Sequence, residues 1–325
     1  MCIRDSFLEN VLIMNNTRYL HIDIAKGLGI LAVIGLHTGF HINAWVGWEM
    51  PLFFLLSGIF ADPQKQNFLG SRINRLLVPA AFFYAPIFLY NCIYYVAHYK
   101  SLSFFDCFEK GTVPTALWFL IALFYISLIH VGVSRLTNGK LHSIAVAVIA
   151  FVVGYLLNYL KVPQIAFLNT AITSLFFYLL GNVFSSKIKN INLINKWVAL
   201  LLGLCLLIGS QYLYEYNNCY IFYRNNELDA PIYMVAIIAL SGIIGVLFLS
   251  DFLSHIKIVS EVLSYYGRNS LVILCAHLYV WKFIQFLHLP AWSQFFIIII
   301  CMIPAICFFK RVCPRLSGYQ PFFLV

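Results

Sequence analysis

Charge is what this sequence lacks. Asp, Glu, Lys and Arg together make up 10% of its 325 residues, where ordinary soluble domains carry about 25%. A chain of which 62% is hydrophobic and 17% aromatic cannot cover itself with a hydrated surface, which excludes a soluble enzyme. Other absences narrow the chemistry. There is no G-x-x-x-x-G-K-[ST] and no G-x-G-x-x-G, so a phosphate group would be held by side chains and not by a glycine-rich cradle. No G-x-S-x-G elbow presents a serine nucleophile. The cysteines Cys2, Cys92, Cys107, Cys205, Cys219, Cys275, Cys301, Cys307 and Cys313 show no metal-ligand spacing, and no metal is expected. Most lie in apolar runs, where a free thiol is a small hydrophobe; Cys107 and Cys219 fall in outer loops and either pair or stay free. Ten-residue apolar–polar alternation is missing, which excludes a transmembrane barrel. Neither internal repeats nor paired broken helices occur in two halves, which weighs against a secondary transporter.

What is present is a series of apolar runs of about twenty residues, long enough as helices to cross a hydrocarbon core of about 30 Å. The expected spans are 19–41, 46–61, 77–97, 115–134, 141–160, 165–184, 196–214, 230–250, 270–288 and 292–310. The expected fold is therefore all-α, a polytopic membrane protein of about ten transmembrane helices. Its net charge of +9 is not a nucleic-acid signal, because position matters more than number. With a cytoplasmic N-terminus, fifteen Lys and Arg fall on the inner side and five on the outer, with Lys26 inside the membrane. That bias places both termini in the cytoplasm.

Residues 1–13 (MCIRDSFLENVLI) precede a cleaner start at Met14 and read as an upstream extension or sequence artefact. They lack the basic-then-apolar-then-small order of a cleaved signal peptide. Residues 14–325 read as a single integral-membrane domain. Its longest non-apolar stretches, 98–114 and 215–229, fall outside. The second (EYNNCYIFYRNNELD) combines aromatic, amide and acidic groups, a set that suits a sugar and equally anchors a chain at the membrane interface.

Lys26 and His37 lie in the first apolar run with ten residues between them. Eleven helical steps are about three turns, so the two share a face roughly 16 Å apart along the axis. Ionisable groups inside a membrane span are costly and usually face a cavity or a functional path. Asp23, one turn before Lys26, either neutralises it or shares that path. His37 sits in the outer part of the helix, where imidazole suits proton transfer near neutral pH. Glu49 opens the next span from the same side and is a candidate to orient the imidazole.

These residues belong to a run, RYLHIDIAKGLGILAVIGLHTGF (18–40), that resembles the first helix of the acyltransferase 3 family of bacterial integral-membrane O-acyltransferases. The resemblance continues through MPLFFLLSGIF (50–60), SRINRLLVPAAFF (71–83), ALWFLIALF (116–124) and YYGRNSLVILCAHLYVW (265–281), in the family's order. It implies that Lys26 and His37 fill the family's basic-residue-then-histidine signature, with His37 as catalytic base or acyl-handling group. Asp23 matches the acid before the basic residue, Ser57 and Gly58 the Ser-Gly pair, Arg72 and Arg75 the basic pair of the RLLVP block, and His277 the late histidine. Many sugar-acetylating relatives carry His where this chain has Glu49, so a role for that position does not carry over.

The resemblance implies transfer of an acetyl group from cytoplasmic acetyl-CoA to a hydroxyl of a cell-surface or lipid-linked polysaccharide, in a bacterial inner membrane and without nucleic acid as partner. Arg72 and Arg75, with Lys65 in the first inner loop, would grip the nucleotide phosphates. Lys26 would shape the donor path, and Asn269 and Ser270 would cap the helix carrying His277. A succinyl donor, another acceptor, or a polysaccharide exporter that binds protons at Lys26 and His37 are the alternatives. The sequence names neither the acceptor nor the oligomeric state.

Overall fold

The computed structural model describes residues 19–40, 46–99, 117–136, 139–191 and 195–323. The N-terminal extension and Cys107 lie outside them. The described elements are α1 (Leu20–Thr38), α2 (Glu49–Ile59), α3 (Phe68–Arg72, a π-helical turn Ile73–Leu77, then Val78–Tyr99), α4 (Trp118–Leu136), α5 (Lys140–Tyr159), α6 (Leu168–Val183), a short α7 (Ser185–Lys189) and α8 (Lys196–Tyr216). An antiparallel hairpin of β1 (Tyr220–Phe222) and β2 (Glu227–Asp229) follows. After it come α9 (Ile232–Ser254), α10 (Lys257–Arg268), α11 (Ser270–Gln285) and α12 (Ala291–Val312).

Every one of the ten expected apolar segments is helical, but not every one is a full span. Helices α1, α3, α4, α5, α8, α9 and α12 are long and apolar enough to cross a membrane; α2, α6 and α11 are shorter. At 1.5 Å per residue the 11-residue α2 covers only about 16 Å. The reason is enclosure. Ten of the eleven residues of α2 are buried, and α6 is buried along nearly its whole length. Leu201 and Ile208 on α8, by contrast, are each 64% exposed, as a lipid-facing surface requires. A helix shielded by its neighbours is as apolar as one facing lipid, yet need not match the bilayer's thickness.

Helix α1 sits at the centre, packed against α2, α9, α10, α11 and α12. The α10 segment was not among the expected spans because its sequence, KIVSEVLSYYGR, is amphipathic and not continuously apolar. It lies against α1 at backbone distance. A Cβ on Gly267 would strike the Asp23 carbonyl, and one on Gly27 would strike that of Leu263. The Ser57-Gly58 pair makes the other close approach, with Gly58 against the Tyr178 carbonyl of α6.

The first basic pair is not in a loop. Helix α3 begins at Phe68, so Arg72 and Arg75 stand on its first turns, the latter within the π-turn. Such turns commonly mark functional positions. Here the turn is tied to the C-terminal segment. Asn74, 3% exposed, accepts at Oδ1 from the backbone N–H groups of Phe322 (3.0 Å) and Phe323 (2.8 Å) and donates from Nδ2 to the Phe323 carbonyl (3.2 Å).

Replacing Gly267 with Ala forces α10 away from α1. Overpacking of this kind costs about 1–3 kcal/mol, so thermal unfolding of Gly267→Ala in detergent is expected several degrees below wild type. An unchanged midpoint would show that the contact gives way freely.

Candidate functional site

Two histidines meet at the hairpin end of the helical core. His37 stands on the last turn of α1, which ends at Gly39 in the left-handed conformation (φ 73°). His277 stands on α11 and is fully buried. Its Nε2 lies 3.1 Å from His37 Nδ1, with the ring centroids 5.0 Å apart. Two backbone carbonyls decide where the protons are. His277 Nδ1 is 2.8 Å from the Ile273 carbonyl, and His37 Nδ1 is 2.9 Å from the Val33 carbonyl. A carbonyl oxygen only accepts, so both Nδ1 atoms carry hydrogen. His277 Nε2 is then the acceptor for His37 Nδ1–H, and His37 Nε2 is left with a free lone pair. A proton on His277 Nε2 would strip His37 Nδ1 of its own and set two lone pairs against each other at Val33.

His37 lines a cavity of about 270 Å³ with Glu49, Trp118, Tyr214, Tyr223 and Arg224 among its walls. The hairpin forms its roof and is bolted to the helices beneath it. Thr173 Oγ1 donates to Asn226 Oδ1 (2.6 Å), Asn226 Nδ2 to the Gly154 carbonyl (2.9 Å), Thr170 Oγ1 to the Tyr223 carbonyl (2.7 Å) and Asn158 Nδ2 to the Leu228 carbonyl (3.0 Å). Asn226 takes the left-handed turn (φ 56°) that aligns these bonds. Tyr223 Oη and Glu49 Oε2 are buried with no hydrogen-bond partner among the described residues, so both are available to a bound molecule. Burial, and then the neighbouring Glu49 carboxyl, push the Tyr223 phenol well above its ordinary range. It therefore stays a donor. Burial draws the Arg224 guanidinium below its usual value, and it remains a cation at neutral pH.

A second cavity, about 520 Å³, opens at the Lys26 end of α1 and is lined by Asp23, Lys26, Arg72, Arg75 and Arg268, with Phe60 at its wall. Lys26 Nζ is 3.8 Å from Asp23 and 5.4 Å from the centre of the Phe60 ring. Arg72 reaches the Tyr178 hydroxyl (3.5 Å) and stacks over Phe68 at 4.8 Å. Four cations against one carboxylate give this cavity an excess of positive charge.

The expected residues thus divide between two cavities. Asp23, Lys26, Arg72 and Arg75 line one; His37 and Glu49 line the other, with His277 behind His37. The bond expected from Glu49 to His37 is not made, because His277 and Val33 occupy that ring nitrogen. Asn269 does not cap α11 through its side chain. α10 runs almost directly into α11, and the Asn269 amide instead donates to the Tyr265 carbonyl (2.6 Å) and accepts from Tyr319 (2.8 Å). Cys219 is buried and unpaired among the described residues, and Cys107, its candidate partner, lies outside them. Sequence reasoning missed Arg224, Tyr223 and Arg268. The aromatic-amide-acid composition of 215–229 was the one signal for Tyr223 and Arg224, and Arg268 was not singled out in the YYGRNSL block.

A family model described as an acyltransferase domain matches residues 19–311, a stretch that holds both cavities and the histidine pair. No curated protein and no solved structure gives a significant match.

Thr173→Val removes the shortest of these roof bonds while keeping the side-chain shape. Losing a buried hydrogen bond costs about 1–3 kcal/mol, so backbone amides of the hairpin, Ile221 and Leu228, are expected to exchange hydrogen about tenfold faster or more. Unchanged exchange would mean the roof is held by packing alone.

Proposed function

The chain belongs to the acyltransferase 3 family, and from that membership we propose that it moves an acetyl group from cytoplasmic acetyl-CoA to a hydroxyl of a cell-surface or lipid-linked polysaccharide. It is a multi-pass membrane acyltransferase; the donor, the acceptor, the bacterial inner membrane as its site and the sidedness are the proposal. The arrangement of cavities supports it. One is cationic and suits a nucleotide thioester; the other holds a base and unpartnered polar groups and suits an alcohol. We place the Lys26 end in the cytoplasm, with about ten helices in the bilayer and both termini inside, because the inner-side excess of Lys and Arg favours that orientation.

The single observation that carries the mechanism is that His37 Nδ1 lies within hydrogen-bond distance of both the Val33 carbonyl and His277 Nε2, from which a free lone pair on His37 Nε2 follows. In the proposed reaction His37 Nε2 takes the proton from the acceptor hydroxyl as its oxygen attacks the thioester carbonyl. The resulting imidazolium keeps its Nδ1–H directed at His277 Nε2 and the Val33 carbonyl, both of which stabilise the positive charge. The tetrahedral intermediate carries an oxyanion, which the Arg224 guanidinium and Tyr223 hydroxyl meet as donors from the cavity wall. Collapse breaks the carbon–sulfur bond. The departing thiolate takes the proton from His37 Nε2, leaving an O-acetyl ester and free CoA thiol. Arg72, Arg75 and Arg268 hold the donor phosphates, while Asp23 fixes the Lys26 ammonium beside them.

The composition of the acceptor cavity favours a sugar. Tyr214, Tyr220, Phe222 and Trp118 supply aromatic faces, and Glu49 and Tyr223 supply hydrogen-bonding groups for hydroxyls. The acidic-amide-aromatic stretch 215–229, legible in the sequence as sugar-compatible, is the segment that folds over His37.

General-base catalysis contributes about 10²–10⁴-fold. Membranes carrying His37→Ala are expected to lose that factor in acetyl incorporation into envelope glycan from radiolabelled acetyl-CoA. His277 touches His37 and not the substrate, so His277→Gln, whose amide still offers an acceptor, is expected to retain more activity than His277→Ala and to shift the pH–rate profile. Wild-type incorporation by His37→Ala would remove the histidine from the chemistry.

A further inference from the structure

The two cavities are separate, yet one side chain lines both: Leu274 of α11. It is 4% exposed and lies one helical turn before His277, directly beneath the histidine pair. The residues around it divide in the same way. On α2, Met50 faces the histidine cavity and Phe53 the cationic one. On α4, Trp118 and Phe119 split likewise. All four are buried, and the Phe53 and Phe119 rings close on each other at 6.0 Å between centroids. Among the described residues the partition is one side chain thick at Leu274 and apolar but for the Trp118 indole N–H.

We propose that this septum selects the acyl group, with Leu274 as the gate that admits a short, uncharged acyl thioester to His37 and turns back charged or longer ones. The inference rests on the two-cavity reading above and deepens it. A thioester bound by its phosphates in the cationic cavity reaches His37 only past Leu274, whose side chain swings aside by rotamer change. An acetyl group brings no charge to the crossing. A succinyl group would carry its carboxylate among five largely apolar side chains with no cation among them and only the Trp118 indole N–H as a donor, a transfer that strongly disfavours the charged form. A butyryl group meets a second limit, since the 270 Å³ beyond the septum must also hold the acceptor. Closed, the same side chain keeps water in the cationic cavity from reaching the base, which guards the thioester against hydrolysis.

The test compares release of CoA thiol from acetyl-, butyryl- and succinyl-CoA by the purified full chain in lipid nanodiscs containing envelope glycolipid. Wild type is expected to favour acetyl-CoA by about tenfold or more over the other two, the range in which apolar pockets discriminate by size. Leu274→Ala is expected to narrow the butyryl gap and to raise thiol release when glycolipid is left out. Leu274→Trp is expected to stop release from all three while still binding desulfo-CoA, which shows that the fold and the cationic end of the donor cavity persist. Wild-type release by Leu274→Trp, or equal use of succinyl- and acetyl-CoA by the wild type, would overturn the septum. The two readings fail separately, because release that survives His37→Ala strikes the mechanism and leaves the partition standing.

Discussion

The hydrogen bond from His37 Nδ1 to His277 Nε2 is the contact on which the rest of the structure depends. It joins α1 to α11 across the core, and each imidazole is pinned from behind by the carbonyl four residues earlier on its own helix. A pair of histidines without those carbonyls could share its protons in several ways. With them one arrangement partners three of the four ring nitrogens, and it leaves the fourth, His37 Nε2, as a basic nitrogen facing a cavity. Polar groups enclosed in an apolar core are costly unless paired, and this pairing stabilises the two rings while giving one of them a lone pair to use.

The architecture around that bond follows from where lipid is and is not. Apart from the central α1, long helices form most of the outer wall, and the short α2, α6 and α11 stand within it. The π-turn of α3, the end of α1 at Gly39 and the hairpin over His37 all occur where cavities replace packing. Glycine at 27 and 267 brings α10 against α1, and with it Arg268 to the cavity that holds Lys26. Backbone-to-backbone contact thus places a cation whose partners the sequence alone does not show.

Much of the fold was legible because hydropathy reports burial in an apolar medium: all ten apolar segments are helices. It does not report whether that medium is lipid or protein, which is why α2 and α6 read as spans. The one-face relation of Lys26 and His37 followed from helical periodicity, and the structure sets them at opposite ends of α1 in different cavities. The His37–His277 contact joins residues 240 apart in the chain, and no local pattern encodes it. Arg224 was hidden for another reason. In a short polar loop an arginine is ordinarily solvated, and only the bonds from Thr170, Thr173 and Asn158 that draw the hairpin inward give it a wall to line. Glu49 is the converse case, a suitable group at a suitable distance in sequence whose intended partner was already taken.

The central claim is the protonation pattern of the pair, and ¹⁵N magnetic resonance of histidine-labelled protein in lipid measures it directly, with His37→Gln to assign the signals. The account predicts, at neutral pH, a His37 ring protonated at Nδ1 and bare at Nε2, with a coupling across the hydrogen bond to His277 Nε2. A His37 ring carrying its proton on Nε2 would contradict it.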